Sequence, residues 1–167
     1  FPVTTESADQ NLEGHVRNIH DAGWSKNGKV LANQSLRVVS ENDAIVVVDG
    51  QFGLGQTVGE EAMELGIGKA AKHGVSVVAL RNSGHLGRIG DWAEMATEAG
   101  MISIHFVNTS GAGMMVAPFG GIDRRLSVSP IAAGIPTGEG EPIILDMSGC
   151  AVAEGKVRVA LNQGATL

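Results

Sequence analysis

The sequence predicts an α/β (α+β) domain with a mixed, largely antiparallel sheet and helices packed on one side of it. Two observations support this prediction. Strand-like and helix-like segments alternate as β-α-β-α-β between residues 44 and 107, and the later strand-like segments follow one another through short loops. Strands that alternate with helices often pair parallel, whereas strands joined by short loops pair antiparallel. With 167 residues the chain is long enough to bury a core.

The first part of the pattern is a strand, a helix and a second strand. Residues 44–48 are apolar and lead to Asp49, and a short strand is expected to begin near Val38. Residues 57–72 place charged and apolar side chains at helical spacing, and His73-Gly74 predicts a glycine C-cap at the end of this helix. The β-branched run over 75–80 predicts a buried strand.

The second part contains the clearest amphipathic helix, residues 88–99, in which Ile89, Trp92 and Ala96 share one side. Alternation and turn residues predict the other elements. These are strands over 102–107, 128–135 and 142–146, a glycine-rich loop over 109–113, an extended segment over 114–118 and a terminal helix over 151–161.

Composition excludes several classes of protein. The net charge of −6 opposes non-specific binding to nucleic acid or to an anionic membrane surface. No apolar run approaches the roughly 20 residues that a membrane helix needs. The single cysteine, Cys150, rules out an internal disulfide and favours a cytoplasmic location. The chain begins at Phe1 and has its first methionine at Met63, which predicts a partial or processed chain.

Residues 82–90, Asn-Ser-Gly-His-Leu-Gly-Arg-Ile-Gly, place one histidine, one arginine and three glycines at a predicted strand-to-helix corner. Free backbone N–H groups and a helix N-terminus at such a corner suit an anionic ligand. His85 is therefore a candidate functional residue. A packed or solvent-facing histidine without a function is the alternative.

Gly53-Leu54-Gly55-Gln56-Thr57-Val58-Gly59 resembles a dinucleotide fingerprint, because it follows a strand and opens a helix. Its spacing is G-x-G-x-x-x-G instead of G-x-G-x-x-G. The next strand ends near Arg81, where a ribose-binding acid would be needed for NAD. A tight strand-to-helix turn explains the segment better.

Two further groups carry charge at candidate sites. Asp146 ends an apolar strand, where a carboxylate can orient a histidine or bind a ribose. Alternatively, Asp146 or Ser148 caps the helix that follows. Arg124-Arg125 can clamp a carboxylate or phosphate, or else form an ion pair with Asp123.

The histidines and the cysteine do not predict a metal site. His15, His20, His85, His105 and Cys150 show no CxxC, HExxH or HxH spacing. His105 falls inside a predicted strand, so we expect it to have a structural role.

Four segments, in this order and at ordinary spacings, identify a family. They are Asn82-Ser83-Gly84-His85-Leu86-Gly87-Arg88-Ile89-Gly90, Val116-Ala117-Pro118-Phe119-Gly120-Gly121, Ser127-Val128-Ser129-Pro130 and Leu145-Asp146-Met147. Together they resemble the type-2 malate/L-lactate dehydrogenase family, in particular its hydroxycarboxylate dehydrogenase branch. The resemblance covers about residues 44–164.

The resemblance implies an NAD(P)-dependent oxidoreductase that moves hydride between nicotinamide and C2 of a small 2-hydroxy or 2-oxo acid. It also implies a non-Rossmann cofactor domain and a homodimer. The carboxylate that matches Asp146 pairs with a catalytic histidine in that family, and the histidine that matches His85 sits near nicotinamide or substrate. Arg88 or Arg125 would meet phosphate or the substrate carboxylate. The residues that match the cofactor region are His85, Leu86, Gly87, Arg88, Ile89, Ser127, Val128, Ser129, Pro130, Ile144, Leu145, Asp146, Met147 and Ser148.

The chain also departs from the family pattern. The Asp-Ser-His-Gly segment that carries the acid–base histidine is missing between His15 and Val16, and Val128-Ser129 replaces a Thr-Asn pair. By this resemblance, residues 1–35 are the remnant of an N-terminal helical and catalytic segment. Residues 36–167 are then the NAD(P)-binding domain, and the C-terminal part of the family is absent.

Two rival functions remain open at this point. One is a cyclic-imine (ketimine) reductase on the same fold. The other is a non-catalytic, dimer-forming fragment, which the missing Asp-Ser-His-Gly favours. In either case the sequence leaves the choice between NAD and NADP undecided.

Overall fold

The structure is a computed structural model that describes residues 28, 30–108, 114–152 and 154–164. The chain divides into two compact units, residues 1–88 and residues 89–167. The predicted N-terminal remnant, residues 1–35, lies largely outside the described residues, and the predicted loop over 109–113 lies wholly outside them.

The first unit contains a three-stranded sheet and one helix. Its elements are β1 (Arg37–Glu41), β2 (Ile45–Gly53), α1 (Gly55–His73) and β3 (Val77–Ser83). β2 lies in the centre, antiparallel to β1 and parallel to β3. The unit is therefore a β-α-β motif with one extra strand added at its edge.

The core of the first unit lies between this sheet and α1. Side chains alternate along a strand, so every second residue of β2 points to the same face. Val46 and Val48 are fully buried there and pack with Ala62 of α1. Each of these valines contributes roughly 1.5–3 kcal/mol of stabilisation by its burial. The alternate residue, Asp49, must then lie on the opposite face.

The second unit is a helix on an antiparallel sheet. Its elements are α2 (Gly90–Glu98), β4 (Ser103–Phe106), β5 (Ile131–Ile135), β6 (Ile143–Met147) and α3 (Glu154–Asn162). β5 lies between β4 and β6 and is antiparallel to both. A side chain at Gly134 would place its Cβ 2.6 Å from the carbonyl oxygen of Ala93, so glycine is required where α2 crosses β5.

The predicted mixture of helices and mainly antiparallel strands is confirmed, since β2 and β3 are the one parallel pair among the described strands. The prediction of a single mixed sheet is wrong, because the described strands form two three-stranded sheets. The physical reason is that α2 packs against β4, β5 and β6, so the second half of the chain builds its own layered unit.

Several element boundaries also differ from the predictions. The strand expected over 128–135 begins only at Ile131, because Ser129 has a φ of 37° and Pro130 has no N–H to donate. The strand expected over 75–80 runs from Val77 to Ser83. The helix expected over 88–99 spans Gly90–Glu98, which leaves Arg88 and Ile89 before its first turn.

The C-terminal cap predicted for the first helix is confirmed. Gly74 has a φ of 83°, and its N–H donates to the Ala70 carbonyl at 2.8 Å. Helices of the described residues are all too short or too polar to span a bilayer.

Candidate active site

In the first unit, the loops that follow β2 and β3 pack against each other through glycines. The Gly84 N–H donates to the Gly53 carbonyl at 2.8 Å. A Cβ on Gly55 would overlap the backbone of Gly84 and His85, and a Cβ on Gly84 would lie 2.8 Å from the Gly53 oxygen. Gly55 of the apparent dinucleotide fingerprint is therefore explained by backbone packing, in agreement with the tight-turn interpretation.

His85 is exposed on the loop that follows β3. Its Nδ1 accepts a hydrogen bond from the Gly87 N–H at 3.1 Å, and Gly87 reaches this position with a φ of 77°. A neutral imidazole that accepts at Nδ1 carries its proton on Nε2. The ring is therefore arranged to donate from Nε2.

A polar cluster around Asp49 is the part of this unit that the sequence did not predict. The Asp49 carboxylate accepts from the Gln51 N–H at 2.9 Å, from Asn82 Nδ2 at 3.2 Å, and from Nη2 of both Arg37 and Arg81 at 3.2 Å. The hydrogen bond from Gln51 is the main cause that lowers the pKa of Asp49 to about 2, and the three side chains add to it against the opposing effect of burial. An aspartate inside an apolar strand was the signal available in the sequence.

In the second unit, Asp146 holds the N-terminus of α2. Its Oδ2 accepts from the Gly90 N–H at 3.0 Å, and a carboxylate at this end of a helix is favoured by the helix dipole. We expected Asp146 or Ser148 to cap the helix that follows. Instead, Asp146 binds the helix that precedes it in the chain, and Ser148 Oγ accepts from the Cys150 N–H at 3.2 Å.

Two segments that the resemblance assigns to the cofactor, Ser127–Pro130 and Ile144–Ser148, lie side by side. The Gly149 N–H donates to the Val128 carbonyl at 2.8 Å, and Ile131 is in register with Met147. Ser127 is buried, and its hydroxyl lies 2.7 Å from that of Ser129. The structure thus brings together the hydroxyls, the Asp146 carboxylate and the start of α2.

The two arginines proposed for the substrate differ in their surroundings. Arg125 donates to Asp123 at 3.0 Å, and both side chains are about 70% exposed, at 69% and 70%. This is the ion pair that we considered as the alternative role for Arg125. Arg88 is exposed on the loop before α2. Their contact with a substrate remains a prediction.

Other candidate metal ligands are dispersed. Among the described residues, no three His, Cys, Asp or Glu side chains cluster closely enough to hold a metal ion. His105 Nε2 lies 2.9 Å from Ser103 Oγ within β4, and burial lowers the pKa of this histidine. His15 and His20 lie outside the described residues.

Comparisons with known proteins agree with the segments quoted above. The profile of the malate/L-lactate dehydrogenase family matches residues 12–167. Hydroxycarboxylate dehydrogenase B of Escherichia coli K12 is 43% identical over 162 residues, which cover 92% of this chain and 44% of that protein. The chain thus spans less than half the length of the curated relatives that it matches.

Solved structures give the same result. A malate/lactate dehydrogenase-type structure from E. coli is 42% identical and superposes with a TM-score of 0.81, over 86% of this chain and 40% of that one. Δ1-piperideine-2-carboxylate reductase from Pseudomonas syringae is 32% identical with a TM-score of 0.74, over 84% of this chain and 41% of that one.

Proposed function

Since this chain belongs to the malate/L-lactate dehydrogenase family, we propose that it serves as an NAD(P)-dependent oxidoreductase acting on a small 2-hydroxy or 2-oxo acid. The observation that carries the proposal is the Asp146 carboxylate on the N-terminus of α2, beside Ser127–Pro130. These groups are the ones that the family resemblance assigns to the cofactor and to the acid–base histidine.

The donor set of the second unit fits a dinucleotide. Ribose hydroxyls, a carboxamide and a pyrophosphate require both donors and acceptors, and this region offers the hydroxyls of Ser129 and Ser148 together with the Asp146 carboxylate. We therefore assign cofactor binding to Ser127–Pro130 and Ile144–Ser148, and the family resemblance alone adds His85–Ile89. When bound, nicotinamide would supply the hydride acceptor or donor.

The start of α2 is not proposed as the pyrophosphate site. In a Rossmann domain the pyrophosphate lies on a helix N-terminus, whereas here the Gly90 N–H is already bonded to Asp146 at 3.0 Å. This occupation supports a non-Rossmann mode of cofactor binding.

The residues have separate roles in the proposed reaction. Asp146 orients the acid–base histidine and stabilises its imidazolium form. That histidine belongs to the Asp-Ser-His-Gly segment, which this sequence lacks. His85, whose Nδ1 accepts from Gly87, donates from Nε2 to polarise the C2 oxygen of the substrate. Arg88 or Arg125 neutralises the substrate carboxylate.

A deuterium-transfer assay tests this proposal even if turnover is slow. NADH or NADPH deuterated at the transferable position is incubated with the protein and a panel of 2-oxo acids, and the products are analysed by mass spectrometry. We expect deuterium at C2 of one hydroxy acid. Its absence from every product, under conditions in which the protein is folded, would contradict the proposal.

A cyclic-imine reductase is the second candidate, and the structural similarity to Δ1-piperideine-2-carboxylate reductase favours it. Both reactions would use the same cofactor segments. The same deuterium assay with a cyclic imine as acceptor separates them, because only the reductase would label the carbon of the C=N bond.

The family likeness also supports a homodimer with a cytoplasmic location. We expect sedimentation to give twice the mass of 17.2 kDa that the chain itself has. A single species at the chain mass would contradict the homodimer.

A further inference from the structure

Three charged residues form a row across the sheet of the first unit. Arg37 on β1, Asp49 on β2 and Arg81 on β3 are in register, each opposite the next. The row lies on the face opposite Val46 and Val48, because side chains alternate along β2. It is therefore on the side of the sheet away from α1.

Asp49 is the fixed centre of this row. Its side chain is only 6% exposed, whereas those of Arg37 and Arg81 are 64% and 55% exposed. One carboxylate oxygen receives the Gln51 N–H, and the other receives both guanidinium groups. Both oxygens of the Asp49 carboxylate thus accept hydrogen bonds, and the carboxylate positions the exposed guanidinium groups of Arg37 and Arg81.

The row carries an excess of positive charge. One carboxylate neutralises one of the two arginines, and within the part of the chain described by the structure Asp49 is the acid paired with either of them. Each guanidinium has five N–H donors, of which Asp49 engages those on one nitrogen. The row is locally cationic although the chain has a net charge of −6.

The geometry points to a binding site for a phosphate group. Both Nη2 atoms lie 3.2 Å from the same oxygen, so they are separated by no more than twice that distance. Two charge-assisted hydrogen bonds of about 2.8 Å, made to one oxyanion, can span this separation. Phosphate offers more acceptor oxygens and more charge than a carboxylate, and arginine forks suit it.

The position of the row also suits a ligand. Asp49 and Arg81 are the last pair in the uninterrupted parallel register of β2 and β3, beyond which the register shifts, and ligands of open α/β sheets bind beyond the carboxyl ends of parallel strands. We therefore propose that Arg37 and Arg81, braced by Asp49, bind a phosphate group, either free or carried by a small molecule. This inference does not depend on the proposed dehydrogenase activity.

Side-chain NMR of the full chain tests the site directly. Inorganic phosphate is titrated into protein labelled with ¹⁵N-arginine at constant ionic strength, and the Nε–H signals are followed. We expect the Arg37 and Arg81 signals to shift together along one saturable curve at millimolar phosphate. Arg158 on α3, which belongs neither to the row nor to the proposed substrate site, is the control and should not shift.

Two further titrations identify the ligand. Adenosine monophosphate that binds at least tenfold more tightly than inorganic phosphate would identify a phosphate carried on a nucleotide, whereas equal binding would identify free phosphate. Pyruvate tests a carboxylate. The proposal is overturned if no saturable shift occurs, if Arg158 shifts equally, or if pyruvate binds to Arg37 and Arg81 as well as phosphate does.

A charge-preserving variant adds a second test. Arg37→Lys keeps the cation next to Asp49 but loses the planar fork, so we expect phosphate affinity to fall about tenfold, while Arg158→Lys on α3 leaves it unchanged. Because the wild-type titration requires no substitution, the site remains testable even if Arg37→Lys unfolds the protein.

Discussion

Asp49 and Asp146 are both aspartates within a β-strand, yet their surroundings are opposite. Asp49 in the first unit is 4% exposed and accepts from four donor groups. Asp146 in the second unit is exposed and accepts from the N-terminus of α2.

This contrast separates two uses of one residue type. A buried carboxylate must have its hydrogen bonds satisfied by the protein, and it then organises its neighbours. An exposed carboxylate stays accessible to a ligand while a hydrogen bond fixes its position. We therefore propose a structural role for Asp49 and a catalytic role for Asp146, and the following predictions test that division.

The largest effect is expected from Asp146→Asn. Asparagine keeps an oxygen for the Gly90 N–H but removes the charge that would stabilise an imidazolium. In a complete enzyme that carries the Asp-Ser-His-Gly histidine, the rate of deuterium transfer should fall by about 100-fold or more, within the range of general acid–base contributions, while cofactor affinity and Tm change little. An unchanged rate would remove Asp146 from the mechanism.

Asp49→Asn should have the reverse effect, with a large decrease in Tm and little change in the rate of deuterium transfer. The pKa of Asp49 is lowered to about 2 from an ordinary 3.8, so the folded state favours the charged form. Its contribution to stability is complete above the unfolded pKa and is lost as the pH falls from about 4 toward 2. Chemical denaturation across this pH range should show that loss in the wild type and less of it in Asp49→Asn. Equal pH dependence in both proteins would contradict the role given to Asp49.

Two glycines of α1 provide a matched pair for the loop packing in the first unit. Gly55→Ala should destabilise by about 1–3 kcal/mol or more, because its Cβ would overlap the Gly84–His85 backbone. Gly68→Ala in the same helix has nothing within 4 Å of its Cβ and should stabilise by roughly 0.5–1 kcal/mol. Urea unfolding measures both, and the same sign for the two variants would show that close packing is not the reason for Gly55.

The smallest effect is expected from Arg125→Ala. Its ion pair with Asp123 is exposed on both sides, and such pairs contribute about 0–1 kcal/mol. Urea unfolding should therefore change little, whereas a raised KM for the 2-oxo acid would support the substrate role. A loss of several kcal/mol would mean that Arg125 has a structural partner beyond Asp123.

Local patterns predicted much of the fold. The apolar run before Asp49, the amphipathic pattern of α2 and the Gly74 cap all correspond to observed elements. The pattern could not show that the strands form two sheets, because strand pairing depends on contacts between distant residues. The left-handed backbone conformation of Ser129 also could not be read from the pattern, and it makes β5 shorter than the strand predicted over 128–135.

Part of the candidate site could be predicted from the sequence. Asp146 and His85 could be selected because polar residues at strand ends and glycine-rich corners are typical of sites. The helix that Asp146 binds lies more than 50 residues earlier in the chain, at Gly90, so periodicity could not reveal it. Arg37, Asp49 and Arg81 were missed for the same reason, since sheet register alone aligns them.

Cofactor binding is the central claim, and Trp92 offers a direct measurement of it. This tryptophan is buried in α2, two residues after Gly90, and its fluorescence can transfer to reduced nicotinamide. NADH and NADPH are titrated into a Trp24→Phe variant, in which Trp92 is the remaining tryptophan. We predict saturable quenching by at least one cofactor, which Asp146→Asn preserves. The absence of saturable quenching by either cofactor at millimolar concentration, in folded protein, would contradict the account.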